Sequence, residues 1–364
     1  MTGLNIPFTG LKKQYNNLRT EILDVTDEVL RSGQLMSGNY TAEFENWLAK
    51  KNQSKYAVTC HSGTQALEVL ATYYGTQTNR VDPPTAAIPS MTYAATANAF
   101  LRSGWNIYIV DTDKYGLLDK RKVPQELSVQ ATVLVGLYGA SVDQLEGKFW
   151  ATDIVIEDGA QHWLANDGQR FGNATAISFD PMKNLNSYGN GGAVVTDDMD
   201  LLEFVRAWRS NGKPTHQNIG TNSRMSEIDC AQMMVKTQYI DQWQERRNKV
   251  ASYWMSRLKH TGIRTLIDES NIKTHACHKF VIEVDGRDIL QRNLELKKIE
   301  TRIHYREPLH ELPAYSDFVG PDILSCASSL ARRVLSLPLY PELTDLEVEY
   351  IIDSVIDCVS QKHS

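Results

Sequence analysis

The chain has 364 residues, 42% hydrophobic and 23% charged, which is ordinary globular usage and enough for one large domain with a smaller companion. Its formal net charge of −6 argues against a broad nucleic-acid-binding surface, and no apolar run approaches the roughly 20 residues of a membrane helix. Its five cysteines, Cys60, Cys230, Cys277, Cys326 and Cys358, are odd in number and lack CxxC spacing, so reduced thiols are expected in place of a disulfide framework or a structural zinc site. The amino-terminal stretch has no secretory pattern, and a cytoplasmic protein without nucleic-acid or membrane partners is the expectation.

From about residue 55 to 200, strand-like and helix-like segments alternate. "KYAVTC" reads as a strand and "TQALEVLATYY" as a helix; "TAAIPS", "AATANAFLRSG" and "NIYIVDT" continue the alternation, followed by "ATVLVGLYG", "DIVIEDG", "ATAISF" and "GGAVVTD". Alternation of this kind marks parallel βαβ units, and short continuous apolar runs fit strands covered on both faces. Beyond Asp200 the pattern becomes helical in "DLLEFVRAWRSNG" and in the long run "SEIDCAQMMVKTQYIDQWQERRNKVASYWMSRLKH", which reads as a bridge between domains. After Gly262 a smaller mixed region begins with a strand at "CHKFVIEV", a helix at "GRDILQRNLELKK" and a closing helix at "LEVEYIIDSVIDCVS". The expected division is a large domain over residues 1–245, its amino-terminal segment packing on the smaller one, and a small domain over 246–364.

Three features of the first region bear on chemistry. In "CHSGTQALEVL" a strand passes through Ser-Gly-Thr into a helix, so Gly63 and Thr64 present backbone N–H groups and a hydroxyl where an anion can sit. A plain threonine cap would have the same sequence. In "DIVIEDGAQHW" an apolar strand ends on Glu157 and Asp158, which places a carboxylate at the sheet edge where open α/β folds bind ligands; a turn residue is the competing reading of Asp158. In "SFDPMKNLNSYGNGGAVVTDD" Lys183 stands between a strand end and a glycine-rich turn, a position that alone would suit a surface charge.

Taken together, these features meet the needs of pyridoxal 5'-phosphate: an amine for its aldehyde, a carboxylate to keep its ring nitrogen protonated and a cradle for its phosphate. Tyr93, after another strand, could stack on the ring's open face or belong to the core. The pair His275 and His278 in "HACH" sits at strand-like spacing that favours alternating faces over a metal site, and no metal is expected.

With these motifs, and with "IPFTGLKKQY", "RSGQLMSGNYTAEFENWLAK", "GTNSRMSEIDCAQ", "IHYREPLHELPAY" and "LSLPLYPELTDLEV" in order along nearly the whole chain, the sequence resembles the DegT/StrS-type sugar-nucleotide aminotransferases. The resemblance implies the type I fold of pyridoxal-phosphate transferases, with a mostly parallel seven-stranded sheet and a smaller carboxyl-terminal α/β domain. It also implies a homodimer with shared active sites, transferring an amino group, by family habit from glutamate, to a keto-sugar nucleotide. On this resemblance Lys183 is the lysine that bonds the cofactor, Asp158 the partner of the ring nitrogen and Gln161 a side chain lying against the ring. Ser178, Gly63 and Thr64 hold the phosphate, Tyr93 is the stacking aromatic, and Asn222 reaches the phosphate in the other subunit. Tyr305 and His310 are candidates for the substrate site.

The chain departs from the family in two places. Gly189-Asn190-Gly191-Gly192 lacks the usual acidic residue, which bears on substrate preference, and "NRVDPPTAA" replaces a "GDEV" turn, read as a surface-loop change. His162 could support the site or simply pack. Non-nucleotide keto substrates such as a cyclitol remain compatible with every motif, as does a non-catalytic homologue. Lys183 argues against the deoxysugar dehydratases that resemble this family, which replace the lysine with histidine.

Overall fold

The computed structural model describes residues 4–78, 82–123, 128–142, 152, 154–318 and 324–360; residues 79–81 of the "NRVDPPTAA" loop lie outside it. Helices α1 (Leu11–Ser32) and α2 (Asn39–Lys51) lead into β1 (Tyr56–Cys60), α3 (Gly63–Gln77), β2 (Thr85–Pro89), α4 (Ala94–Arg102) and β3 (Asn106–Val110). Strands β4 (Ala131–Val135), β5 (Ile154–Asp158), β6 (Ala174–Ser178) and β7 (Gly192–Thr196) follow, then α5 (Met199–Trp208), α6 (Glu227–Thr237) and α7 (Ile240–Leu258). The remainder is β8 (Arg264–Thr265), β9 (Phe280–Glu283), α8 (Arg287–Leu296), α9 (Ser325–Arg333), β10 (Val334–Leu337) and α10 (Asp345–Ser360).

Strands β1–β7 form one seven-stranded sheet in the order β1-β7-β6-β5-β4-β2-β3. All neighbours are parallel except β7, which runs against both β1 and β6. Two reversals restore direction, so β1 points the same way as β6, and the carboxyl ends of β1, β2, β4, β5 and β6 share one edge. The apolar runs form this sheet because both faces are covered: β4, β6 and β7 are buried at every position. On one face α3 packs through Ala66, Leu67, Val69 and Leu70. On the other, Phe44 and Leu48 of α2 meet Phe179 and Val195.

A second sheet, β10-β9-β8, is antiparallel and carries its own core with Trp254, Phe280, Leu335 and Ile351. Helix α7 joins the two bodies: Ile240 and Trp243 belong to the core of the large sheet, whereas Val250, Ala251, Trp254 and Leu258 belong to the smaller one. Ile6 is also in that smaller core and bridges to Ile299. No described helix is long and apolar enough to cross a membrane.

Two segments differ from the sequence reading. The long helical run from Ser226 is two helices, interrupted at Gln238 and Tyr239. The strand expected at "CHKFVIEV" starts only at Phe280, because the preceding residues bond a loop of the large body: Ala276 N–H donates to Gly139 O (2.7 Å) and Lys279 N–H to Tyr138 O (3.1 Å). Between them Cys277 takes a left-handed φ of 44°.

Candidate active site

A cavity of about 540 Å³ opens at the carboxyl edge of the large sheet, closed from the other side by His278, Lys279, Arg302, His304 and Tyr305. The parallel strands deliver its floor. Asp158, the last residue of β5, is 6% exposed; its Oδ2 accepts from Thr96 Oγ1 (2.7 Å) and its Oδ1 from the N–H of Ala160 (3.2 Å). Thr96 is itself held at 2.9 Å from Thr92, so the first turn of α4 fixes the carboxylate.

The connection from β1 into α3 forms the next wall. Ser62 caps the helix, accepting from Gln65 N–H (3.2 Å), and the first-turn N–H groups of Gly63 and Thr64 have no helical carbonyl within reach. Ser178, at the end of β6, lies so close that a Cβ on Gly63 would stand 2.6 Å from its own Cβ. At the start of β7, a Cβ on Gly192 would fall 2.3 Å from the carbonyl carbon of Ser62. Side chains are excluded at both positions. What remains is a concave cradle of N–H groups and the hydroxyls of Thr64 and Ser178, a donor set suited to a phosphate.

Lys183 sits in the loop between β6 and β7 and is partly buried, its side chain on the cavity wall. Its Nζ makes no hydrogen bond or ion pair among the described residues. Burial lowers its pKa from the ordinary lysine value, while the carboxylates of Asp158 and Asp180 oppose that shift. An amine poised towards its neutral form can act as a nucleophile.

Gln161 is fixed at both ends of its amide: Oε1 accepts from Tyr138 N–H (2.8 Å), and Nε2 donates to the Tyr305 hydroxyl (3.2 Å). The Tyr138 hydroxyl in turn donates to the carbonyl of His304. Tyr93, the cap residue of α4, is 61% exposed and faces Tyr305 with ring centroids 6.0 Å apart, so it is no core tyrosine. His162 is buried below the floor; its Nδ1 accepts from Gly136 N–H (3.0 Å), which leaves Nε2–H to donate to Glu157 (3.2 Å). Its function is therefore packing and support.

The cavity thus gathers Lys183, Asp158, Gln161, Ser178, Gly63, Thr64, Tyr93 and Tyr305. It does not gather His310, whose Nδ1 lies 2.5 Å from Ser90 Oγ and whose Nε2 lies 3.0 Å from Ser328 Oγ, tying the loop to the end of β2. Nor does Asn222 line the cavity of its own chain; it is exposed and bridges to Ser210. His275 and His278 are separate: His275 Nδ1 accepts from Cys277 N–H (2.9 Å), while His278 Nδ1 is 3.3 Å from Asn184 Oδ1. Among the described residues no cluster of three or more His, Cys, Asp or Glu could hold a metal, and all five cysteines are free thiols.

Sequence reasoning missed Thr96, Asp180, Lys279 and Arg302. The Asp-x-x-Lys spacing gave a signal for Asp180, whose carbonyl accepts from Lys183 N–H (2.9 Å). Thr96 reads as an ordinary residue of a helix start.

An amine, a strand-end carboxylate and an anion cradle facing one cavity fit pyridoxal 5'-phosphate, and the α/β architecture is that of the pyridoxal-phosphate aminotransferases. The chain is similar to the crystal structure of DesV from Streptomyces venezuelae, with a TM-score of 0.87 at 31% identity over 98% of each chain. Residues 16–356 match the DegT/DnrJ/EryC1/StrS aminotransferase family, and the chain belongs to it. Aminotransferases of this family depend on pyridoxal phosphate, which is the cofactor here. A dTDP-3-amino-3,4,6-trideoxy-alpha-D-glucose transaminase of S. venezuelae is 33% identical, the match covering 96% of this chain and 95% of the relative. A protein of Geobacillus stearothermophilus named as a pleiotropic regulatory protein is 32% identical over 97% and 98% of the two chains.

Proposed function

We propose that this aminotransferase moves an amino group from an amino acid, glutamate by family habit, to a keto-sugar nucleotide. The observation that carries the reading is the shared cavity of Lys183 and Asp158, in a chain whose relatives include a transaminase named for a dTDP-sugar. When bound, pyridoxal phosphate supplies an aldehyde that bonds an amine and a protonated ring that accepts the electron pair left at the donor's Cα. Gly63, Thr64 and Ser178 hold the phosphate, and Asn222 reaches it from a second copy of the chain, which makes the working unit a homodimer. Asp158, oriented by Thr96, keeps a proton on the ring nitrogen. Gln161 and Tyr93 fix the ring plane.

Lys183 Nζ would move a proton away from the donor's Cα to the cofactor carbon that takes up the nitrogen, and in the second half-reaction from that carbon to the acceptor, a task suited to an amine held below the usual lysine range. Tyr305 faces the substrate and His310 supports its loop from outside. We place the division between the cofactor-binding body and the smaller one near residue 245, inside α7.

The test is to load the protein with pyridoxamine phosphate and screen keto-sugar nucleotides for return of the aldehyde absorbance. A response to inosose or a simple keto acid alone would replace the sugar assignment and keep the transaminase. The regulatory name of the G. stearothermophilus relative favours, as a second reading, a chain that has kept the fold without turnover. Single-turnover conversion by the wild type, absent in Lys183→Ala, separates the two.

A further inference from the structure

Lys279 has no role in the scheme above, yet its side chain lines the same cavity. The residue is only 6% exposed, and its Nζ has no hydrogen bond or ion pair among the described residues. It lies over the ring of Phe8, with Nζ 5.4 Å from the centroid. The guanidinium of Arg302 lies over the same ring at 5.1 Å. Glu300 organises the group: one carboxylate oxygen accepts from Phe8 N–H (2.9 Å) and the other from Nε and Nη2 of Arg302 (3.3 and 3.0 Å).

A cation–π contact at this distance is a weak attraction. Removing an ammonium from water costs more than such a contact returns, so the ring alone does not compensate the burial. The comparison within the chain is Lys236, which is 0% exposed but donates to Asn186 O at 2.7 Å and sits 3.7 Å over the Tyr188 ring. That lysine is satisfied internally; Lys279 is not.

The surroundings of Lys279 are cationic. Burial pushes its pKa well below the ordinary value, Lys183, Arg247 and Arg302 push it further, and only Asp180 opposes them. His278 and His304 face it as neutral rings, both held below the usual histidine range by burial first and by these cations second. Of the two carboxylates on the cavity wall, Asp158 already accepts from Thr96 and Ala160, and Asp180 Oδ1 accepts from Met182 N–H at 2.9 Å. Two basic side chains that line one cavity and share the Phe8 ring, one of them buried without an ion pair among the described residues, suit a negative group.

We infer that Lys279 and Arg302 form an anion subsite on the cavity wall that takes a carboxylate or phosphate group of a substrate. The inference rests on the proposed reading only for the identity of those substrates: the amino donor brings carboxylates, the sugar nucleotide a diphosphate. A cavity shielded from bulk water strengthens such a contact, and a planar guanidinium beside an ammonium can share the oxygens of either group.

The experiment titrates the holoenzyme calorimetrically with two unreactive probes, glutarate and inorganic pyrophosphate, in wild type, Lys279→Met, Lys279→Arg and Arg302→Gln. The wild type is expected to bind at least one probe, Lys279→Met and Arg302→Gln to loosen it tenfold or more, and Lys279→Arg to restore it to within about threefold. Loosening of glutarate alone assigns the subsite to the donor's carboxylate, and loosening of pyrophosphate alone to the nucleotide's phosphates. Affinities within twofold of wild type for both probes, or no saturable binding by the wild type, overturn the inference. Should Lys279→Met not fold, Arg302→Gln decides. Because binding is read as heat, a chain that binds these anions without turning over any keto-sugar nucleotide would refute the substrate assignment and leave the subsite standing.

Discussion

Gly63 and Ser178 stand so close that a Cβ on the first would lie 2.6 Å from the Cβ and 3.1 Å from the Oγ of the second. The contact joins the start of α3 to the end of β6, so the cradle's N–H groups and its serine hydroxyl form one surface. Gly63→Ala must move the helix start or Ser178, because backbone and a short side chain have no flexible end to yield. The expected outcome is a folded protein whose affinity for pyridoxal phosphate falls at least tenfold, about 1.4 kcal/mol, measured by equilibrium dialysis. Unchanged affinity would mean that the anion sits elsewhere.

Asp158 is held by Thr96, and the two residues predict a graded pair of defects. Asp158→Ala removes the only carboxylate ending β5 at the cavity and should cut turnover by a factor on the order of 10² or more while the far-ultraviolet dichroism stays native. Thr96→Val keeps the charge and loses one hydrogen bond, so a loss of roughly tenfold is expected, with cofactor still bound. Equal defects from both would show that orientation, not charge, is what Asp158 contributes.

Much of this site was legible in the chain because local rules and global architecture coincide there. Asp158 and Lys183 follow apolar strands, and the Ser-Gly-Thr turn precedes a clear helix, so alternating strands and helices carry all three to one sheet edge. Lys279 was hidden for the opposite reason. "HACHKF" alternates like a strand, but tertiary hydrogen bonds to Tyr138 and Gly139 pull residues 276–279 out of the smaller sheet and turn Lys279 into the cavity. Likewise the break between α6 and α7 follows no glycine or proline; residues on both sides of it, Val235 and Ile240, pack on the core of the large sheet, so no local signal marks it. The sequence did not place His310 off the cavity wall, where it lies between Ser90 and Ser328.

Glu227 supports the large body at a distance from the chemistry. It is 3% exposed, and its carboxylate accepts from the N–H groups of Gly38 (2.8 Å), Tyr40 (2.6 Å) and Thr41 (3.2 Å) and from the Thr41 hydroxyl (2.5 Å). One side chain on α6 therefore serves the free amino end of α2. Glu227→Ala leaves those donors buried without an acceptor and should destabilise the fold by about 2–4 kcal/mol, read as a lower urea midpoint at unchanged slope. Glu227→Gln retains one acceptor and should lose less.

Acid should weaken the fold through its buried histidines, His275, His278 and His304, before the surface carboxylates titrate. Burial lowers the pKa of His275 to about 3 and that of His304 to about 2, the latter with help from Lys279, Arg302 and Lys183. Both are neutral in the folded chain at pH 5, whereas an unfolded histidine protonates near 6.5. The unfolded state then binds the extra protons, so stability must fall as pH drops below about 6.5, by roughly 2 kcal/mol per histidine at pH 5. The loss continues towards the folded pKa values, and above pH 7 these residues contribute no slope. Urea unfolding at pH 8, 6.5, 5.5 and 5 measures the curve, and His275→Gln should remove its own share of the acid slope and leave that of the other buried histidines. An identical slope in wild type and His275→Gln would mean that the folded chain accepts the proton at His275, and that its imidazole is not sealed from water as the structure has it.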